Sequence, residues 1–229
     1  MEAGHAIIAQ TTASSLQFED GQTDHQDPVT DPSTSRRIAA ARLLSLVGHP
    51  ALLVPSAVVC SVAGAGRETP GLWLAGVAAV SLAACVVAYS LLKVRRGRWR
   101  DADASLPAER AQLTAFLFPL MAAGALAMGL LGLPVAAVAG LGFGAVMVAV
   151  AHATGPRMKL SLHAAFAVYA AALLWSWPAV VAACLLLAAG VAWSRVVLGR
   201  HTVLEARLGL ALGAAGGMAL HAVAAAAPH

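Results

Sequence analysis

Long apolar runs separated by short groups of charged residues make up most of the chain after its first 40 positions. Four stretches contain no Asp, Glu, Lys or Arg: 43–66, 69–92, 111–156 and 160–194. A last apolar run follows Arg207. A helix that crosses a bilayer needs about 20 apolar residues. The first two runs therefore predict one crossing each, the third predicts two, the fourth predicts two short helices, and the last predicts one.

Turn residues divide the two longest runs. Gly132-Leu133-Pro134 lies inside 111–156, and Ser176-Trp177-Pro178 lies inside 160–194. Both triplets contain the glycine or proline that interrupts a helix. Because backbone groups in lipid must be satisfied within their own segment, runs of this kind form helices. The pattern predicts an all-α polytopic membrane bundle of about seven transmembrane helices.

Composition agrees with this class. Of the 229 residues, 59% are hydrophobic and 11% are charged, whereas soluble domains carry about 25% charged residues. Residues 1–37 form a polar, acidic segment that we expect to be a disordered tail, followed by a membrane domain over 38–229. The net charge of +4 is better explained by basic loops at a membrane face than by nucleic-acid binding.

The seven-helix layout places the charged loops on one face. That face receives 93–110, 155–160 and 195–202, while of fifteen Lys and Arg residues only Arg67 falls on the other. Three segments distant in sequence should therefore meet at one end of the bundle. The positive-inside rule places this end in the cytoplasm, which suggests a bacterial inner membrane protein, although some of these cations also suit phosphate binding.

The segment Ser194–Glu205 carries the clearest chemistry. His201 and Glu205 are four residues apart, so on a helix they share a face. A carboxylate that accepts from one imidazole nitrogen leaves the other nitrogen free to attack an electrophile. Arg195 and Arg200 supply positive charge for an anionic group such as phosphate. This combination indicates a histidine nucleophile beside a phosphate site.

Two further segments on the same face add to this chemistry. Ser161 and His163 stand at the start of a predicted helix, and Lys93 precedes Arg100 by seven positions. Phosphoryl transfer through a phosphohistidine needs one histidine to attack phosphorus, another to protonate the leaving oxygen, and fixed cations around the phosphate. The three segments together predict that reaction.

These segments resemble the three motifs of the type 2 phosphatidic acid phosphatases, the PAP2/haloperoxidase superfamily. The matching residues are Lys93-x6-Arg100, Ser161-x-His163 and Ser194-Arg195-x5-His201-x3-Glu205. The resemblance implies a PAP2-like core in which His201 is the nucleophile, Glu205 orients it, and His163 is the general acid and later the base. It also implies phosphate binding by Lys93, Arg100, Ser161 and Arg195. The implied substrates are lipid phosphates and isoprenoid diphosphates, hydrolysed without a metal or other cofactor.

The chain departs from that family at several positions. Leu160 and Leu162 stand where the family has proline and glycine, and Asp101 stands where it has proline after the first-motif arginine. An extra helix pair separates the first two motifs, so Arg110 is an alternative to Arg100. These departures leave open a second function, a catalytically weakened membrane protein that binds anionic lipid or acts as a scaffold.

A haem-binding cytochrome is a third hypothesis, since the chain has eight histidines. His163 and His201 lie at predicted helix starts rather than on facing helices in mid-membrane. The sequence therefore favours neither haem nor a metal as cofactor. The substrate lipid and the oligomeric state are left open.

Overall fold

The computed structural model describes residues 32–64 and 71–227, and these form eight helices and no strand. The helices are α1 (Pro32–Val47), α2 (Pro50–Gly64), α3 (Leu72–Arg95), α4 (Pro107–Leu130), α5 (Val135–Thr154), α6 (Leu162–Leu173), α7 (Pro178–Val197) and α8 (Val203–Ala226). Most of the predicted acidic tail lies outside the described residues, and so does the charged pair at 67–68 that separates the first two apolar runs. Helix α1 begins at Pro32, within the segment predicted to be the tail.

Five of these helices are long and apolar enough to cross a membrane, namely α3, α4, α5, α7 and α8. Helices α1 and α2 pass the same test only as a pair, bent by 47° at the break between them. Helix α6 has twelve residues, which is about 18 Å of rise, short of the roughly 30 Å hydrocarbon core. The described residues thus form an all-helical bundle with five or six segments suited to cross a membrane, and the predicted number of seven is not confirmed.

Proline and glycine residues set several helix boundaries. Pro50, Pro107 and Pro178 each begin a helix, a position at which the missing N–H costs nothing. The two predicted turns are confirmed, since residues 131–134 join α4 to α5 and residues 174–177 join α6 to α7. The first apolar run is interrupted at Gly48 and His49, immediately before Pro50, so that one predicted crossing becomes two helices. This break has a functional consequence, because it brings His49 to the site described below.

The short helix α6 is the centre of the bundle and packs against α2, α5, α7 and α8. Several of its small residues are fully buried, among them Ala164, Ala165, Ala167 and Ala170. Helix α8 approaches α6 so closely that a Cβ atom added at Gly213 would lie 2.1 Å from the carbonyl oxygen of Ala165. Small residues allow such contacts between membrane helices. Near the starts of the two helices, the backbone N–H of Ser161 donates to the carbonyl oxygen of Glu205 over 3.3 Å.

Replacement of Gly213 by alanine is expected to destabilise the protein. The added methyl group overlaps the backbone of α6, so the two helices must separate, at a cost of about 1–3 kcal/mol. Gly142→Ala in α5 is the matched control, because nothing lies within 4 Å of its added Cβ and alanine favours a helix by roughly 1 kcal/mol. Thermal unfolding in detergent should show a lower midpoint for Gly213→Ala alone. Equal midpoints for the two variants would contradict the close packing of α6 and α8.

Candidate active site

Four segments meet at one end of the bundle: the α1–α2 break and the loops 96–106, 155–161 and 198–202. The Lys159 ammonium donates to the carbonyl oxygen of Arg200 over 2.6 Å. Arg195, in the last turn of α7, donates to Asp103 of the first loop over 3.0 Å. The predicted convergence of three loops is therefore confirmed by direct contacts, and the α1–α2 break is an unpredicted fourth contributor.

His201 is held in one tautomer by the backbone. Its Nδ1 lies 2.9 Å from the carbonyl oxygen of Lys159. A carbonyl only accepts, so Nδ1 carries the proton and Nε2 keeps a free lone pair. Burial, reinforced by the charges of Lys159 and Arg195, lowers the pKa of His201 to about 4. The imidazole is therefore neutral at pH 7, which is the state that a nucleophile requires.

Glu205 differs from its predicted role. Its carboxylate accepts from the backbone N–H of Lys159 at 3.1 Å and from that of Thr202 at 2.9 Å. The second contact belongs to a capping box at the start of α8. The same carboxylate lies 3.6 Å from Nδ1 of His201, beyond a good hydrogen bond. The carbonyl of Lys159 thus orients the imidazole, while Glu205 joins the two loops that carry His201 and Lys159.

Arg195 is buried, and only some of the N–H groups of its guanidinium have hydrogen-bond partners among the described residues. Its Nη1 donates to Asp103 at 3.0 Å and to Ser45 at 2.9 Å. Its Nε is buried and has no hydrogen-bond partner among the described residues. An unpaired buried donor is costly. The Nε edge of this guanidinium is therefore the part that suits an anionic ligand.

Asp103 stands between two histidines. Its Oδ1 lies 3.5 Å from Nε2 of His49 and 3.8 Å from Nε2 of His163. The rings of His49 and His163 meet edge to face, with centroids 5.0 Å apart. The contact with His49, together with the nearby His163 and Arg195, holds the pKa of Asp103 far below its usual range, so that it is ionised.

The loop that carries Asp103 is fixed at both ends. Trp99 is buried, and its indole N–H donates to Gln112 at 3.2 Å. Further along, Ser105 donates to Asp101 and accepts from Arg200. Arg200 also lies 3.4 Å from Asp101. The loop 96–106 is therefore tied to the segment 195–202 by two carboxylates and two arginines.

Three residues that the resemblance assigned to phosphate binding do not line the cavity described below. The Lys93 ammonium donates to Gln112 at 3.1 Å and lies over the ring of Tyr89. Arg100 is exposed, and neither it nor Lys93 lines the cavity described below. Ser161 is fully buried and caps α6 by accepting from the N–H of Ala164. Helix α3 extends to Arg95, so Lys93 lies within its last turn. The side-chain oxygen of Ser161 is used as the N-cap of α6.

Two other cations line the cavity in which Lys93 and Arg100 were expected. Arg110 and Lys159 line the same cavity as His163, Arg195 and His201. The side chain of Arg110 lies 3.4 Å from the carbonyl oxygen of Ser105. Burial lowers the pKa of Lys159, and the nearby Arg110 adds to this effect. Of the two alternatives Arg100 and Arg110, it is thus Arg110 that lines the cavity with the histidines.

The cavity that joins these groups has a volume of about 700 Å³ and continues away from them along α6. Its wall near the loops is polar, whereas the remainder is lined mainly by apolar side chains of α2 to α6. It reaches Trp175, beyond the far end of α6, so its length along that helix is about 18 Å. The geometry suits an anionic group at one end and a hydrocarbon chain along the rest.

His49, Asp103 and His163 are also close enough to be considered as a metal site, with one ligand atom of each lying within 4.8 Å of the other two. A metal would need the lone pair of Nε2 on His49. However, Nδ1 of His49 accepts from the backbone N–H of Ala51 at 3.2 Å, which leaves the proton of the neutral ring on Nε2. Metal-bound histidines instead donate from their second nitrogen. The residues therefore do not fit a metal.

Sequence reasoning did not assign His49 and Asp103 to the site. His49 lay in an apolar run and was expected to bond between helices. Two signals were available: the Gly48-His49-Pro50 triplet can break a helix, and Asp101 and Asp103 are acidic residues within a basic loop. Neither signal predicts that the α1–α2 break contacts the loop 96–106, because that contact joins residues far apart in the chain.

Comparison with protein-family models, curated proteins and solved structures gave no match.

Proposed function

We propose that this protein is an integral membrane phosphatase that hydrolyses a lipid phosphate or an isoprenoid (di)phosphate through a phosphohistidine intermediate. The single observation that carries the proposal is the pairing of two groups in one cavity. One is a neutral histidine, His201, with its Nε2 lone pair free. The other is Arg195, with a buried Nε that lacks a partner among the described residues. A nucleophile beside a fixed guanidinium is the arrangement that phosphoryl transfer needs.

The proposed reaction has two steps. In the first, Nε2 of His201 forms an N–P bond while the bond between phosphorus and the leaving oxygen breaks. The electron pair stays on that oxygen, which takes a proton from His163. In the second, neutral His163 removes a proton from water, whose oxygen attacks phosphorus as the N–P bond breaks and its pair returns to Nε2. Arg195, Arg110 and Lys159 supply positive charge for the phosphoryl oxygens.

The apolar part of the cavity supports a substrate with a hydrocarbon chain. Phe166 and Leu173 of α6 and Leu82 of α3 are among its lining residues. Five or six helices suited to a membrane would give a lipid direct access to such a groove. A small soluble phosphate ester would not contact most of the apolar lining of the cavity, which favours a lipid or isoprenoid substrate.

Phosphate release by the purified protein from a series of alkyl phosphate monoesters, with EDTA present, tests this function. We expect kcat/KM to rise by about 100-fold or more between butyl and dodecyl phosphate, because each buried CH₂ contributes up to about 0.8 kcal/mol. Phosphatidic acid and an isoprenyl diphosphate complete the panel. Absence of phosphate release from every member would refute the proposed activity.

Two tryptophan variants test the groove itself. Val58 of α2 lines the cavity, so Val58→Trp should remove the advantage of long chains while butyl phosphate turnover is retained. Leu186 of α7 is 75% exposed, and Leu186→Trp is the matched control. An equal chain-length dependence in both variants would assign the hydrocarbon chain to another surface.

A second candidate is a non-catalytic protein that binds anionic lipid. It is favoured by one observation, the burial of Ser161 as a helix cap, which removes one of the implied phosphate ligands. The substrate panel separates the two candidates, since binding of phosphatidic acid without turnover would support the second.

A further inference from the structure

We propose that Asp103, which pairs with Arg195 and faces His49, is the counter-ion that stabilises the protonated form of His163, the form that gives a proton to the leaving oxygen. Asp103 and His49 act through His163 and are thus positioning residues. The inference rests on the proposed function, in which His163 is the general acid. Neither residue belongs to the three motifs that suggested the phosphatase.

The carboxylate of Asp103 is shared among three cationic or potentially cationic groups. Oδ2 accepts from Arg195 at 3.0 Å, while Oδ1 faces His49 at 3.5 Å and His163 at 3.8 Å. Nε2 of His163 is buried without a hydrogen-bond partner among the described residues. A carboxylate at this separation stabilises an imidazolium more than a neutral ring. Asp103 is the acidic side chain placed to do this.

His49 fixes which oxygen faces His163. Because its Nδ1 accepts from Ala51, its proton is on Nε2, directed at the same Oδ1 that faces His163. Its ring also packs edge to face against the ring of His163. The helix break at Gly48 and His49 therefore places an N–H group beside the carboxylate and an aromatic surface against the ring of His163.

A counter-ion is needed because the surroundings of His163 disfavour its charged form: burial, reinforced by the charge of Arg195, holds the pKa of His163 well below its usual value, and Asp103 opposes this effect. The His163 side chain is 13% exposed, and burial in a medium of low dielectric constant disfavours charge. The charged and titratable groups facing it are Arg195 from α7, His49 from the α1–α2 break, His201 from the loop before α8, and Asp103. Of these four, Asp103 is the one that favours the imidazolium.

Asp103 need not leave when a phosphate binds. It occupies Nη1 of Arg195, whereas the Nε edge of that guanidinium has no partner among the described residues. A phosphoryl group on that edge and a carboxylate on Nη1 are compatible, because guanidinium has five donors. The carboxylate is thus a fixed part of the site and not a competitor for the substrate.

The test compares leaving groups that need a proton with one that does not. For Asp103→Asn we expect kcat on dodecyl phosphate to fall about 10- to 100-fold, since loss of acid catalysis costs within this range or more. On p-nitrophenyl phosphate, whose leaving group departs without a proton, kcat should fall less than about threefold. Equal losses on both substrates would indicate a structural role and overturn the inference. A higher kcat/KM on both would show that Asp103 competes with substrate, and would also overturn it.

Two substitutions of His49 provide the matched pair. His49→Gln keeps an N–H donor for Asp103 and should retain most of the dodecyl phosphate activity. His49→Phe keeps the ring that packs on His163 but lacks the donor, so it should show the same leaving-group dependence as Asp103→Asn. Equal behaviour of the two variants on both substrates would remove His49 from the inference.

A titration that does not depend on turnover separates this inference from the proposed function. In protein with isotope-labelled histidines, the pH of half-protonation of the His163 ring should be lower by about one unit or more in Asp103→Asn. His163→Ala assigns the resonance. An unchanged pH of half-protonation overturns the inference even if the enzyme is active. If the pH of half-protonation is lower in Asp103→Asn but the unmodified protein releases no phosphate, the proposed phosphatase activity is refuted and the pairing of Asp103 with His163 is supported.

Discussion

His201→Ala will abolish phosphate release, with a loss of about 10⁴-fold or more in kcat. The variant removes the nitrogen that forms the bond to phosphorus, and the remaining cations can bind the phosphate but cannot replace the nucleophile. Because the carbonyl of Lys159 and not Glu205 fixes the tautomer, Glu205→Gln should cost far less activity than His201→Ala. Initial rates with dodecyl phosphate measure both effects.

His152→Ala is the matched control for this experiment. His152 is an exposed histidine near the end of α5, bonded to Thr114 at 2.8 Å, and it does not line the cavity. It should keep nearly full activity. Retained turnover in His201→Ala would remove the proposed mechanism, and equal losses in the two variants would point to a general effect of losing a histidine.

Arg195→Lys will lower kcat by about 10²- to 10³-fold, which is the cost of removing one fixed donor from a developing charge. Lysine retains the positive charge near Asp103 but lacks the Nε edge that we assign to the phosphoryl group. The loss should therefore appear in turnover while the thermal midpoint changes little. Arg195→Ala is a poorer test, since it leaves the Asp103 carboxylate without its guanidinium.

Arg207→Lys serves as the control for this substitution, because Arg207 is an exposed arginine on α8. Its activity should equal that of the unmodified protein. If Arg195→Lys were as active as this control, the guanidinium edge would have no role in the reaction.

The sequence predicted the parts of the fold that depend on local composition. Uncharged runs marked the membrane-type helices, and Gly132-Leu133-Pro134 and Ser176-Trp177-Pro178 marked turns, because apolar length and helix-breaking residues act locally. It did not predict that the break between α1 and α2 would bring His49 to the site, or that the short helix α6 would be enclosed by four other helices. Both features depend on contacts between segments distant in the chain, such as that of Gly213 with Ala165.

The candidate site was predicted where its residues lie close together in sequence. Arg195 and His201 are joined by one short loop and line the same cavity. Lys93 and Arg100 were assigned from the family resemblance, but neither lines the cavity, and the Lys93 ammonium donates to Gln112. Asp103 and His49 could not be assigned, because their contact depends on a helix break 54 positions away in the chain.

The most direct test of the central claim is to trap the intermediate on His201. The protein is mixed with ³²P-labelled dodecyl phosphate, stopped within milliseconds by alkali and digested. We predict a phosphorylated peptide containing His201 that is stable in alkali and labile in acid, and that is missing from His201→Ala. Phosphate release at full rate without label on that peptide, or label on another residue, would contradict the account.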